Sequence, residues 1–159
     1  MSKKELLRNV IQQLRDELHL VSRAADDARS GATDSEVKSE SKYDTRGLEA
    51  SYLARGHAMK FEALADDVVQ LERYECPNFA ADSPAGLGAL VTVEQAGEKS
   101  CYFILPKAGG TELEPEEGGM EITVVTPDAP VGKKLCGLRV GDQFSISPGV
   151  PEMAICEIA

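Results

Sequence analysis

The chain of 159 residues contains no tryptophan, and only 5% of it is aromatic. A catalytic pocket walled by several aromatic rings therefore has little to draw on: residues 78–159 supply only Phe79, Tyr102, Phe103 and Phe144. Cysteine is sparse as well. Cys76, Cys101, Cys136 and Cys156 form no CxxC pair and have no zinc-ligand spacing. Three of them lie in apolar, strand-like surroundings and read as reduced core residues, while Cys76 adjoins Pro77 at a boundary. No apolar run is long enough to span a membrane, and "MSKKELLRNV" enters an amphipathic pattern without a hydrophobic signal core. A cytoplasmic address and no membrane partner are the expectation.

Positive charge is also scarce. Twenty-seven acidic residues face 17 basic ones, for a formal net charge of -10. Affinity for free DNA or RNA rests on a surplus of lysine and arginine, so free nucleic acid is a poor candidate for the main partner. The deficit is uneven. Residues 1–75 carry 12 basic and 15 acidic side chains, whereas 76–159 carry 5 and 12. If one half approaches a polyanion held by another molecule, it is the first.

What is present divides into two periodicities. Leu7, Ile11, Leu14, Leu18, Val21, Ala25 and Ala28 alternate steps of four and three, the seam of a coiled coil. The same rule resumes at Ala50, Ala54, His57, Phe61, Leu64, Val68 and Leu71. Gly31 is expected to stop the first helix, because it accepts the left-handed conformation common past a helix end. Asp44 and Thr45 are expected to cap the second, with Gly47 weakening its first turn. Large seam residues lie at the start of the first helix and the end of the second, so antiparallel pairing sets large against large. A short connection demands the same direction. The result is a hairpin over 1–75 with arms of roughly 40 Å at 1.5 Å per residue. Its tip is "GATDSEVKSESKYD" (31–44), carrying Asp34, Glu36, Glu40 and Asp44.

From Cys76 onward the pattern becomes strand-like. "ALVTVEQ", "SCYFILP", "MEITVVT", "DQFSIS" and "EMAICEI" are separated by turn formers such as Ala96-Gly97, Gly109-Gly110 and Gly141-Asp142. "APVGKKLCGL" suits a short helix, and "ELEPEEGG" (112–119) an acidic loop that keeps the domain soluble. Residues 78–159 thus predict a compact, mainly antiparallel β domain, and the whole chain an α+β fold.

The segment "ITVVTPDAPVGKKLCGLRVGDQFSI" (122–146) resembles the C-terminal signature of the Gre family of bacterial transcript-cleavage factors. A strand there leads into a Ser/Thr-Pro-x-x-Pro-x-Gly turn, then a Leu-x-Gly step and a Gly-Asp turn. Thr126, Pro127, Pro130, Gly132, Leu135, Gly137, Gly141 and Asp142 hold those places. A helical hairpin with an acidic tip ahead of a small β domain extends the likeness over nearly the whole chain.

The resemblance implies an FKBP-like fold for the β domain, docked at the rim of RNA polymerase's secondary channel. It implies a hairpin that enters the channel and an acidic tip that helps hold the second Mg²⁺ ion while polymerase cuts backtracked RNA. The factor would need no cofactor of its own and would meet the RNA 3′ end only indirectly. Oxygen ligands suit a hard cation that takes one or two carboxylates from any one protein. The turn residues Pro127, Asp128, Pro130 and Gly132 become candidates for polymerase binding. Arg46 and Arg55 become candidates for the basic arm near the RNA.

The tip departs from the family pattern of an Asp and a Glu three positions apart, followed by a Glu and a Tyr. Here Tyr43 has Glu40 three positions before it and Glu36 seven before, with Asp34 further upstream. Glu36 and Glu40 share a face on a helix, whereas Asp34 and Glu36 share one on an extended chain. Glu36 and Glu40 are taken as the metal-directed pair, with Asp34 beside them.

Blander readings stand next to these. A polar loop between helices is ordinary, and Lys38 and Lys42 dilute its charge. His57 on the seam reads as a packing or register residue, and the arginines of the arm as solvation of an outer face. An altered tip could also occupy the channel without stimulating cleavage. A peptidyl-prolyl isomerase or peptide-binding module is the alternative from another class, disfavoured by the shortage of aromatic walls.

Overall fold

The computed structural model describes residues 2–38, 46–114 and 119–159; the side chains at 31–38, 46, 47 and 50 lie outside the description. Two long helices come first, α1 (Lys3–Lys38) and α2 (Arg46–Glu72). Strands β1 (Leu90–Gln95), β2 (Glu98–Ile104), β3 (Glu112–Leu113) and β4 (Ile122–Val125) follow, then α3 (Pro130–Leu135), β5 (Gln143–Phe144) and β6 (Met153–Ile158). The chain forms two compact units, one of Met1–Val10 with Gln70–Ala159 and the other of Ile11–Val69.

α1 starts at a capping box written by its first residues. The Ser2 hydroxyl accepts from the Glu5 N–H at 3.3 Å, and the Glu5 carboxylate accepts from the Ser2 N–H at 2.6 Å. Those bonds, the backbone one first, hold the Glu5 carboxyl below its usual range.

In the unit of Ile11–Val69 the seam holds. Ile11, Leu14, Val21, Ala25 and Val68 are buried; Leu18, Ala54, His57 and Leu64 are half-buried. Phe61 is left 36% exposed. Lys60 Nζ reaches Glu17 Oε1 at 2.6 Å between the helices, a register that brings His57 level with Leu20 and Val21. From Lys38 to Arg46 the chain spans at most roughly 28 Å, too short to start a parallel α2 that sets Lys60 beside Glu17, so α2 runs back antiparallel to α1.

In the other unit the strand order is β3-β4-β2-β1-β6-β5. Every neighbouring pair is antiparallel except β2 with β4, so the sheet is mixed. Alternation gives each face its own core. Val91, Val93, Ile104, Val125, Met153 and Ile155 pack on one face with Leu135 of α3. Leu90, Thr92, Cys101, Phe103, Ile122 and Val124 share the other by register. Phe103, Ile104 and Leu105 are fully buried, each stabilising by roughly 1.5–3 kcal/mol. Ala96 (φ 53°) and Gly97 (φ 86°) form the two-residue turn that joins β1 to β2.

Five expected strands and the short helix are present, and β3 is an addition within the stretch expected as an acidic loop. The buried Leu113 accounts for it: one apolar side chain among glutamates pins two residues to β4. Leu6 and Val10 are also buried deeper than the seam pattern implies, which widens the apolar stripe at the start of α1.

Candidate functional site

The signature turn is built from backbone requirements. Past Val125 the carbonyl of Thr126 accepts from the Ala129 N–H at 3.0 Å, closing a turn with Pro127 at the position whose φ proline presets. Pro130 then opens α3, where a missing N–H costs nothing. At Gly132 a Cβ would stand 1.9 Å from the Thr126 oxygen and 2.8 Å from its carbonyl carbon, so only glycine lets α3 lie on that turn. Leu135 fixes the helix to the core. Gly137 (φ 92°) then donates to the Ala85 carbonyl at 2.8 Å. The Arg139 N–H donates to Asp142 Oδ2 at 2.7 Å, which shapes the turn into β5. Of the four turn residues selected from the sequence, Asp128 and Pro130 are exposed, Pro127 is half-buried and Gly132 is buried against the turn.

On the arm, α1 does not stop at Gly31 but continues to Lys38. Interior glycine costs a helix only about 1 kcal/mol relative to alanine, too little to end it without a competing turn. Positions 34 and 36 are therefore helical and stand about 200° apart around the axis. An extended chain that would align them does not describe this stretch. Glu40, Tyr43, Asp44 and Thr45 lie outside the described residues.

Arg46 is the first residue of α2, and Arg55 and Arg23 are exposed on the arm. Lys60 is held by Glu17, and Arg29 stands 4.0 Å from Asp26. Among the described residues no three His, Cys, Asp or Glu side chains gather as a metal-ligand set. Among them, too, no helix is long and apolar enough to cross a membrane.

One cluster had no sequence signal. Lys3 Nζ donates to the Pro77 carbonyl at 2.5 Å and to the Gly88 carbonyl at 3.3 Å, and lies 4.8 Å from the centre of the Phe79 ring. Burial lowers its pKa, with partial compensation from Cys76. Gly88 (φ 87°) is required there, because a Cβ would fall 2.4 Å from Pro77 Cδ. Those partners come from distant parts of the chain, so no local spacing marks them.

Fold and site together define a helical hairpin with a small mixed-sheet domain whose exposed turn is set by proline and glycine. No family model matches the chain, and no curated protein does. Among solved structures it is similar to GreA factor homolog 1 of Thermus thermophilus, at 26% identity over 94% of each chain with a TM-score of 0.39. It is similar also to the Thermus aquaticus counterpart, at 24% identity over 98% of this chain and 92% of that one, with a TM-score of 0.37. A third is the transcription elongation factor GreA/GreB from Nitrosomonas europaea, at 21% identity over 60% and 78% of the two chains, with a TM-score of 0.36.

Proposed function

We propose that this chain is a Gre-type transcription factor that binds RNA polymerase, inserts its helical hairpin into the secondary channel and stimulates cleavage of backtracked RNA by polymerase's own centre. The observation that carries the reading is the segment 122–146. Its proline and glycine positions match the family signature, and here each has a backbone task that fixes one exposed turn. Asp128 and Pro130 on that turn are the proposed polymerase contacts. Arg46 and Arg55 on the arm are proposed to lie toward the extruded RNA, and the β domain to be FKBP-like.

In this reading the factor is accessory, not an enzyme. The Mg²⁺ belongs to the polymerase complex, and the donor chemistry of Glu36 and Glu40 suits it. Held four positions apart on a helix, these two residues would share a face. Their task is to offer carboxylate oxygens at the channel's inner end, with Asp34 nearby.

The test uses purified polymerase backtracked on a labelled transcript. Mg²⁺-dependent shortening from the RNA 3′ end is expected with the wild-type chain and not with Glu36→Gln/Glu40→Gln. Undiminished cleavage by that variant would remove both residues from the role.

A second reading has its own observation. Because α1 continues through Gly31, positions 34 and 36 fall about 200° apart around the helix axis and not on one face, which disfavours pairing them at the start of the stretch. A factor that occupies the channel and regulates polymerase without promoting cleavage fits this arrangement. Polymerase binding without RNA shortening would decide for it.

A further inference from the structure

One hollow lies wholly within the unit of Met1–Val10 and Gln70–Ala159, on the sheet face opposite α3. Its floor is a row of paired residues across four strands. Glu157 pairs with Thr92, Thr92 with Cys101, and Cys101 with Ile122. The two middle members are small, and Leu6 of α1 stands over them, so a space of about 230 Å³ remains. Leu90 and Met120 complete apolar walls, and Glu114 and Glu157 also line it. That volume falls below the roughly 300–1,000 Å³ of drug-sized pockets and suits one linear chain.

The polar groups inside are already matched to each other. Thr92 and Cys101 are 7% and 3% exposed, and the Thr92 hydroxyl lies 4.0 Å from Cys101 Sγ, within hydrogen-bond reach of sulfur. The middle of the floor therefore asks for nothing polar. Burial chiefly, against the Thr92 bond and with help from the Glu157 charge, pushes the Cys101 thiol up to about 11, so it stays neutral and the Glu157 field is felt at the floor. Among the described residues no lysine or arginine lines the space. Neither Glu114 nor Glu157 has an ion-pair partner among the described residues.

Apolar walls with two uncompensated carboxylates complement a guest that is greasy along its length and positive at its end. We propose that this hollow binds an aliphatic chain ending in a cation, either a lysine or arginine side chain of a partner protein or a free polyamine. The stem lies against Leu6, Leu90 and Ile122, and the cation meets Glu157 and Glu114.

The full chain, isotope-labelled at Leu, Ile and Met methyls, is titrated with Nα-acetyl-lysine methylamide, its norleucine counterpart and spermidine. Saturable shifts of the Leu6, Met120 and Ile122 methyls are expected with the lysine probe and roughly fivefold weaker binding with norleucine, since a partly exposed charge contact is worth up to about 1 kcal/mol. Glu114→Gln/Glu157→Gln, at exposed positions that spare the core, should weaken the lysine probe by a similar factor and leave norleucine unchanged. Equal binding of lysine and norleucine, no effect of the glutamine pair, or no saturable shift would each overturn the proposal. Tighter binding of spermidine than of the lysine probe assigns the free polyamine as the source. Weaker binding assigns the polypeptide side chain.

Discussion

The sheet-bearing unit and the helical arm are built to different standards. In the first, Val91, Val93, Phe103, Ile104, Leu105 and Leu135 reach zero exposure, and glycine is used where backbone meets backbone. On the arm the seam thins to Ala54 and His57, both half-buried, and Leu20, Leu53, Tyr52 and Met59 stand more than half exposed. A fully enclosed core opens only with global unfolding, whereas a narrow seam with exposed apolar neighbours opens locally at lower cost. The sheet-bearing unit, which carries the fixed turn, is therefore the rigid one, and the arm is the part that opens locally.

The largest effect that could break this contrast is at Gly132. A Cβ there meets the Thr126 carbonyl, which is backbone and cannot swing aside. Gly132→Ala should cost at least about 3 kcal/mol in urea unfolding of the sheet-bearing unit, through overpacking at a site with no slack. A loss below about 1 kcal/mol would mean that the turn gives way, and the signature would lose its structural explanation.

A smaller effect sharpens the other side. His57 sits half-buried on the seam, level with Leu20 and Val21. His57→Leu should stabilise the arm by about 1 kcal/mol through added apolar burial. Slower amide exchange confined to residues of the arm is the readout, with the sheet-bearing unit unchanged. Faster exchange would show that the imidazole makes a contact that leucine cannot replace.

These contrasts also mark what the sequence could reveal. The seam was legible because steps of four and three admit one face only, and the strands because alternating Val and Ile between glycines leave few other solutions. The signature turn was legible for the same reason that Gly132 is irreplaceable: its spacing is a list of backbone needs. Leu6 and Val10 were partly hidden, since an apolar stripe wider than a seam looks like noise until a sheet face lies beside it. Lys3 was hidden entirely, because its carbonyl partners at Pro77 and Gly88 lie far along the chain. The acidic stretch was the hardest. Asp34 and Glu36 sit where apolar periodicity fades, so nothing in the pattern chose between helix and turn.

Gly31 is where that choice can be measured. A glycine past a helix end adopts positive φ, and alanine there is strained; a glycine inside a helix carries excess unfolded-state entropy, and alanine there relieves it. With α1 continuous to Lys38, Gly31→Ala should stabilise the arm by about 0.5–1 kcal/mol and raise helical circular dichroism. A loss of stability would instead put the end of α1 at Gly31 and free positions 34 and 36 from the opposed arrangement. The effect is the smallest of the three, but it bears most directly on function. A continuous helix keeps positions 34 and 36 about 200° apart around its axis, while a helix broken at Gly31 would release them from that spacing.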